Sequence, residues 1–386
     1  MADKNLADKN LADKELADKT GKQPGRADRV PDDPMLWPLT AARLAMDACF
    51  WWMERGPAEP ADSSLPWTTP STVALELATM RLRDCSRTRS GQPALVCAPY
   101  ALHRALIADF APGHSVVQSL QNGGIDKVYL TDWRSATPDM RYLSIDSYLS
   151  DLNVAIDEIG VPVDLVGLCQ GGWLSLLYAA RFPAKVRRLV LAGAPVDLSI
   201  ESALSRLARN APELVYDQLV ARGGGNVSGE EMLRVWSKAP SREDIAAALQ
   251  RELADEEGAA LLARFDQWNV ETLDLPGTYY LEIVNRIFRE NRIAGGHFIA
   301  LGRRVDLKDV KAPIFLLAGL DDDVVPVTQA FATAGLVGTP PAFIAVASEP
   351  SNHLGLFMGA RTHAQAWPRV AAWLRDDLSG VLARSA

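Results

Sequence analysis

Val163-Asp164-Leu165-Val166-Gly167-Leu168-Cys169-Gln170-Gly171-Gly172, running on into WLSLLYAARF (Trp173–Phe182), is the stretch whose reading decides the fold. VDLVG is a short, nearly continuous apolar run of the kind that forms a buried strand, and WLSLLYAARF is helix-permissive. A nucleophile held on a tight strand-to-helix turn needs small neighbours, because its backbone is strained and both elements crowd it; Gly167 and Gly171 meet that need. The nucleophile position falls on Cys169. A helix starting there favours a thiolate and offers the Gln170 backbone N–H to a developing oxyanion. The bland alternative is a structural cysteine buried beside a glycine turn.

Working outward, other short apolar runs alternate with helical stretches: Ala94–Ala98, Lys127–Trp133, Val186–Ala192, Ala312–Ala318 and Ala342–Ala347. Continuous apolar strands separated by helices predict a mostly parallel, doubly wound sheet covered on both faces, hence an α/β fold. The alternation breaks between about Pro195 and Lys311, which reads as a helical insert covering the C-terminal ends of the strands. With the Cys169 turn, this predicts an α/β-hydrolase fold with a helical cap. In that fold the acid follows a later strand and the base follows the last one. Gly319-Leu320-Asp321-Asp322-Asp323-Val324-Val325-Pro326 and Ser351-Asn352-His353-Leu354-Gly355 fall at those two points. Asp322 has the usual offset for the acid, with Asp321 and Asp323 as alternatives. His353 is the base. His103, just past the first of these runs, lies close to the expected oxyanion loop; His114, His297 and His363 read as ordinary surface or core residues. The expected chemistry has His353 take the Cys169 proton and Asp322 orient the imidazole. The backbone N–H groups of Gln170 and Ala101 hold the oxyanion, and a covalent acyl-enzyme results.

The 386 residues are 48% hydrophobic and 23% charged, enough for a large core. The net charge of −8, without a Lys/Arg run, argues against nucleic acid as a partner. Four cysteines with no CxxC pair and no Cys/His cluster fit neither a disulfide framework nor a metal site, so a cytoplasmic location is expected. Residues 1–34 read as a disordered low-complexity tail. Its ADKNL-type pentads turn each Leu by about 140° from the last on a helix, so Leu6, Leu11 and Leu16 form no stripe. Residues 35–69 read as a helix and linker, with Leu36–Glu54 too short and too charged to span a bilayer. Its Trp37, Trp51 and Trp52 face either their own domain or a partner. Residues 70–196 and 312–386 form the expected core, and 197–311 the cap.

GLCQGG (Gly167–Gly172), WNVETLDLPGTYYLEIVNRIFREN (Trp268–Asn291), GRRVDL (Gly302–Leu307) and SNHLG (Ser351–Gly355) together resemble polyhydroxyalkanoate synthases. The likeness runs over roughly Thr69 to Leu378 and is greatest to the short, cysteine-dependent type that works with a partner subunit. The same stretches resemble intracellular polyhydroxybutyrate depolymerases, which share a Cys-Asp-His site. VYLTDW, LDLPGTYYL and HLGLFMGAR lean toward the depolymerases, GLCQGG and DDDVVP toward the synthases. Two departures from the synthase pattern are Asp323, where a histidine often follows the acid, and Leu102-His103-Arg104, where an Asn-bearing loop is common.

The resemblance implies an acyltransferase that polymerises 3-hydroxyacyl-CoA through a Cys-linked acyl-enzyme. CoA would be the leaving group, with no other cofactor and no metal. It further implies a polyester-granule surface, a partner subunit and homodimerisation as associations to test. A cysteine nucleophile suits thioesters, since thiol–thioester exchange is nearly balanced. The alternatives are a depolymerase or thioesterase using the same triad, and an inactive granule-binding protein.

Overall fold

The computed structural model describes residues 65–160, 162–236 and 240–376. The pentad repeat and the helix expected over Leu36–Glu54 lie outside the described residues. Eight strands form the central sheet: β1 (Thr72–Glu76), β2 (Met80–Asp84), β3 (Ala94–Cys97), β4 (Val128–Trp133), β5 (Val163–Leu168), β6 (Val186–Ala192), β7 (Ile314–Gly319) and β8 (Ile344–Glu349). Their order is β1-β2-β4-β3-β5-β6-β7-β8. Strands β3 to β8 are parallel, and β1 and β2 add an antiparallel edge. Every residue of β3, β5 and β7 is buried, which is why these strands are almost continuously apolar rather than alternating, with Asp164 of β5, paired with Arg187, as the exception. At the edge, β2 does alternate: Met80 and Leu82 are fully buried, while Arg83 turns outward and pairs with Asp132 of β4 at 2.7 Å.

Helices flank the sheet. Helix α1 (Val116–Asn122) packs against the last helix, Ala360–Arg375, α2 (Ile145–Ile159) precedes β5, and α3 (Gln170–Arg181) follows it directly. Ahead of β1, the end of the stretch read as a linker is anchored: the Thr69 backbone N–H and hydroxyl both donate to the buried Asp109 carboxylate at 2.7 Å.

Between β6 and β7, the span read from the sequence as the cap, the chain is mostly helical. Three of its helices start on side-chain caps: Ser202, Ser241 and Asp255 accept from the N–H groups of Ser205, Asp244 and Gly258. Each satisfies a donor that the first helical turn would otherwise leave unpaired. The segment after the helix Glu256–Val270 returns to the core through a buried aromatic cluster. There Tyr279 packs 4.6 Å from Tyr148 and Tyr148 stacks 4.7 Å from Tyr100, measured between ring centroids. Among the described residues, no helix is long and apolar enough to cross a membrane.

Candidate active site

Strand β5 ends at Leu168 and α3 begins at Gln170, leaving Cys169 alone on the turn with φ 49° and ψ −119°. A non-glycine residue in that region stores about 1–3 kcal/mol of strain. The turn is held by Cys169 N–H donating to Ala192 O at the end of β6, and by Gly172 N–H donating to Cys169 O. The neighbouring glycines have a steric cause. A Cβ on Gly171 would lie 2.1 Å from Cys97 O on β3, and one on Gly167 would lie 2.6 Å from Gly172 Cα. Helix α3 is therefore drawn against the sheet too closely for any side chain there.

Cys169 is partly exposed, whereas Cys85 and Cys97 are buried. Burial pushes the Cys85 and Cys97 thiols up to about 12, so neither ionises near neutral pH.

Of the three consecutive aspartates after β7, Asp322 alone is buried. Its Oδ1 accepts from Val324 N–H at 3.0 Å and Val325 N–H at 2.8 Å, which fixes the carboxylate. Its Oδ2 accepts from His353 Nδ1 at 2.7 Å. His353 stands in the loop after β8 with Phe357 edge-on to its ring. Burial alone would push the His353 pKa down. The Asp322 carboxylate and the Cys169 sulfur, each by charge and by hydrogen bond, outweigh it and hold His353 well above the usual histidine range.

The structure thus brings Cys169, His353 and Asp322 together, and leaves Asp321 and Asp323 exposed. Gln170 N–H heads α3, and Ala101 lies in the loop after β3; among the described residues no protein acceptor takes either N–H. Burial lowers the pKa of His103 and of His363 to about 4. His363 is a core residue, bonded to Ser119 and to Phe357 O. His114 is likewise buried, on Met358 O at 2.6 Å.

One contributor went unrecognised in the sequence: Gly193, at φ +53°, sits where a side chain would meet the His353 ring at 3.3 Å. The only sequence signal for it is a glycine immediately after a strand. Among the described residues no group of three or more His, Cys, Asp or Glu side chains is placed to hold a metal ion.

Strand order, the strained turn after β5 and the loops after β7 and β8 define the α/β-hydrolase fold, with Cys169 on the turn between β5 and α3. Solved structures agree on the fold. A monoacylglycerol lipase of Paleococcus ferrophilus (14% identical, TM-score 0.50) matches 76% of this chain and 98% of its own. A bromoperoxidase of Bacillus anthracis (18%, TM-score 0.50) matches 80% and 100%.

Curated relatives are more specific. The chain is 28% identical over 320 residues to the poly(3-hydroxyalkanoate) polymerase subunit PhaC of Haloferax mediterranei, covering 80% of this chain and 64% of that one. It is 28% identical over 300 residues to the PhaC subunit of Allochromatium vinosum (74% and 81%) and 29% over 297 residues to that of Synechocystis (74% and 78%). Residues 239–377 match the family model described as the C-terminus of PHB de-polymerase. The resemblance read from GLCQGG, the Trp268–Asn291 segment and SNHLG is therefore borne out, on both the polymerase and the depolymerase side.

Proposed function

We propose that this chain is an acyltransferase that polymerises 3-hydroxyacyl-CoA, with Cys169 as nucleophile, His353 as base and acid, and Asp322 as the group that orients and charges the imidazole. What carries the reading is the likeness to polymerase subunits over about three quarters of the chain, in a molecule whose strained turn presents a thiol to a buried His–Asp pair.

In this mechanism His353 takes the Cys169 proton, and the thiolate attacks the thioester carbonyl. The carbonyl electrons move to oxygen, where the Gln170 and Ala101 N–H groups meet the negative charge. Collapse breaks the C–S bond to CoA, and His353 returns its proton to the departing thiolate. The acyl group is left on Cys169. The hydroxyl end of a second 3-hydroxyacyl group then gives its proton to His353 and attacks the acyl-cysteine, forming an ester and freeing the thiol. Asp322 remains a carboxylate throughout, since its role is to hold the imidazolium. Water must be kept from the acyl-enzyme, and the helical cap is the element that would exclude it. No cofactor beyond the CoA of the substrate enters these steps.

The second reading, hydrolysis of polyester or thioester on the same triad, is favoured by the match of residues 239–377 to the depolymerase model. Purified protein given 3-hydroxybutyryl-CoA separates the two. CoA release with oligomeric or insoluble polyester supports the polymerase. Free 3-hydroxybutyrate, or soluble acids released from amorphous polyester without CoA release, supports the hydrolase. The granule surface, the partner subunit and self-association belong to the same proposal. Adding a candidate partner subunit to this assay, and sedimenting the protein with and without polyester, tests them.

A further inference from the structure

The loop that carries Ala101 runs from Pro99 to Arg104, and its long-range hydrogen bonds go to one segment of the cap. Leu273 N–H donates to Leu102 O at 2.8 Å. His103 Nε2 donates to Asn269 O at 3.0 Å, and its ring stacks on Trp268 with centroids 4.2 Å apart. His103 also pairs with Thr272 as an isolated antiparallel bridge. Nearer the nucleophile, the Tyr279 hydroxyl donates to Tyr100 O at 3.3 Å.

This last bond has a direct geometric meaning. Tyr100 C=O and Ala101 N–H belong to one planar trans peptide unit, so the two groups point in opposite directions and fixing one fixes the other. A hydrogen bond to the carbonyl also polarises the unit and makes its N–H a stronger donor. Tyr279 is fully buried, and burial raises its pKa, so the phenol stays a neutral donor.

We infer that Tyr279 is a positioning residue for the oxyanion hole, aiming the Ala101 N–H through the Tyr100–Ala101 peptide, and that His103 locks the same loop to the cap two residues further on. The inference rests on the reading of Ala101 N–H as an oxyanion donor. Its consequence is that the cap does more than cover the site: its seating decides whether the oxyanion hole is formed. Sequence separations of 166 to 179 between these partners make the coupling a product of the fold rather than of local structure.

The test uses two reactions of one thiol. Alkylation of Cys169 by iodoacetamide passes through no oxyanion, whereas acylation by p-nitrophenyl butyrate does. Tyr279→Phe removes only the hydroxyl, and His103→Phe keeps a ring on Trp268 while removing the donor. Each is expected to slow the p-nitrophenol burst by about tenfold or more, as a misaimed oxyanion donor would, with the alkylation rate of the full-length protein kept within about twofold. His103→Gln, which restores an N–H at that place, is expected to recover most of the burst. Unchanged acylation in both Phe variants, or acylation and alkylation falling together, would overturn the inference. Wild-type protein acylated by the ester but releasing no CoA from 3-hydroxybutyryl-CoA would contradict the proposed function and leave this test intact. Wild-type protein that the ester never acylates would remove both.

Discussion

At the scale of the residue, the account turns on a cysteine in a conformation that cysteine disfavours. Cys169 at φ 49° and ψ −119° is paid for by the rest of the fold, and glycine would adopt the same backbone with little strain. Cys169→Gly is therefore expected to melt above Cys169→Ala, by about 1 kcal/mol once the greater entropy of unfolded glycine is subtracted, and both should lose turnover. Thermal unfolding of the two variants checks this, and an alanine variant as stable as the glycine one would mean that the turn is not strained. The electrostatic claim concerns His353. Burial lowers its pKa, and the charges of Asp322 and Cys169 reverse that effect. Asp322→Asn keeps the shape and removes one charge, so the His353 pKa should fall and the imidazolium should be lost at a lower pH. The expected result is slower iodoacetamide alkylation of Cys169 at pH 7 and turnover lower by about 10² or more.

At the scale of the element, the turn between β5 and α3 was legible because its chemistry is local. A strand, Cys169 and two glycines stand close together in the chain, and contact with Cys97 O explains Gly171. Gly171→Ala would place a Cβ 2.1 Å from the backbone oxygen of Cys97, so it is expected to destabilise the protein by about 1–3 kcal/mol or more and to slow acylation. Denaturant unfolding together with the p-nitrophenyl butyrate burst measures both. The loops after β7 and β8 were legible for the same reason, down to Asp322 among three aspartates. Strands β1 and β2 were passed over because Arg81 and Arg83 make MRLRD look polar. Its signal was the two-residue alternation that buries Met80 and Leu82. The bonds between the oxyanion loop and the Trp268–Tyr279 segment had no sequence signal, because nothing local brings together residues so far apart.

At the scale of the whole molecule, buried histidines set the response to acid. His103 and His363 have pKa values of about 4 in the fold, and His114 is also lowered, in each case chiefly by burial. A depressed folded-state pKa means that stability is full above the unfolded value of about 6.5 and is lost as pH falls toward 4. Asp164 opposes this. Burial raises its pKa to about 6, despite the Arg187 guanidinium, so its protonation favours the fold over part of the same range. Asp274, raised chiefly by burial, and His353, held above the usual histidine range, act in the same direction as Asp164, but the two histidines at about 4 span more of the interval, so Tm is expected to fall between pH 7 and pH 4.5. Relief of the net charge of −8 alone would predict a rise, so a higher Tm at pH 4.5 would contradict this balance. The sheet also gathers three residues from positions 169, 322 and 353 into one site, and the central claim is that an acyl group is carried on the first of them. Butyryl-CoA tests it most directly, because an acyl group without a 3-hydroxyl offers no chain end for elongation and accumulates. Intact-mass and peptide mass spectrometry should find one butyryl group on the peptide containing Cys169, and none in Cys169→Gly. CoA release with no adduct, or an adduct on another residue that persists in Cys169→Gly, would contradict the account.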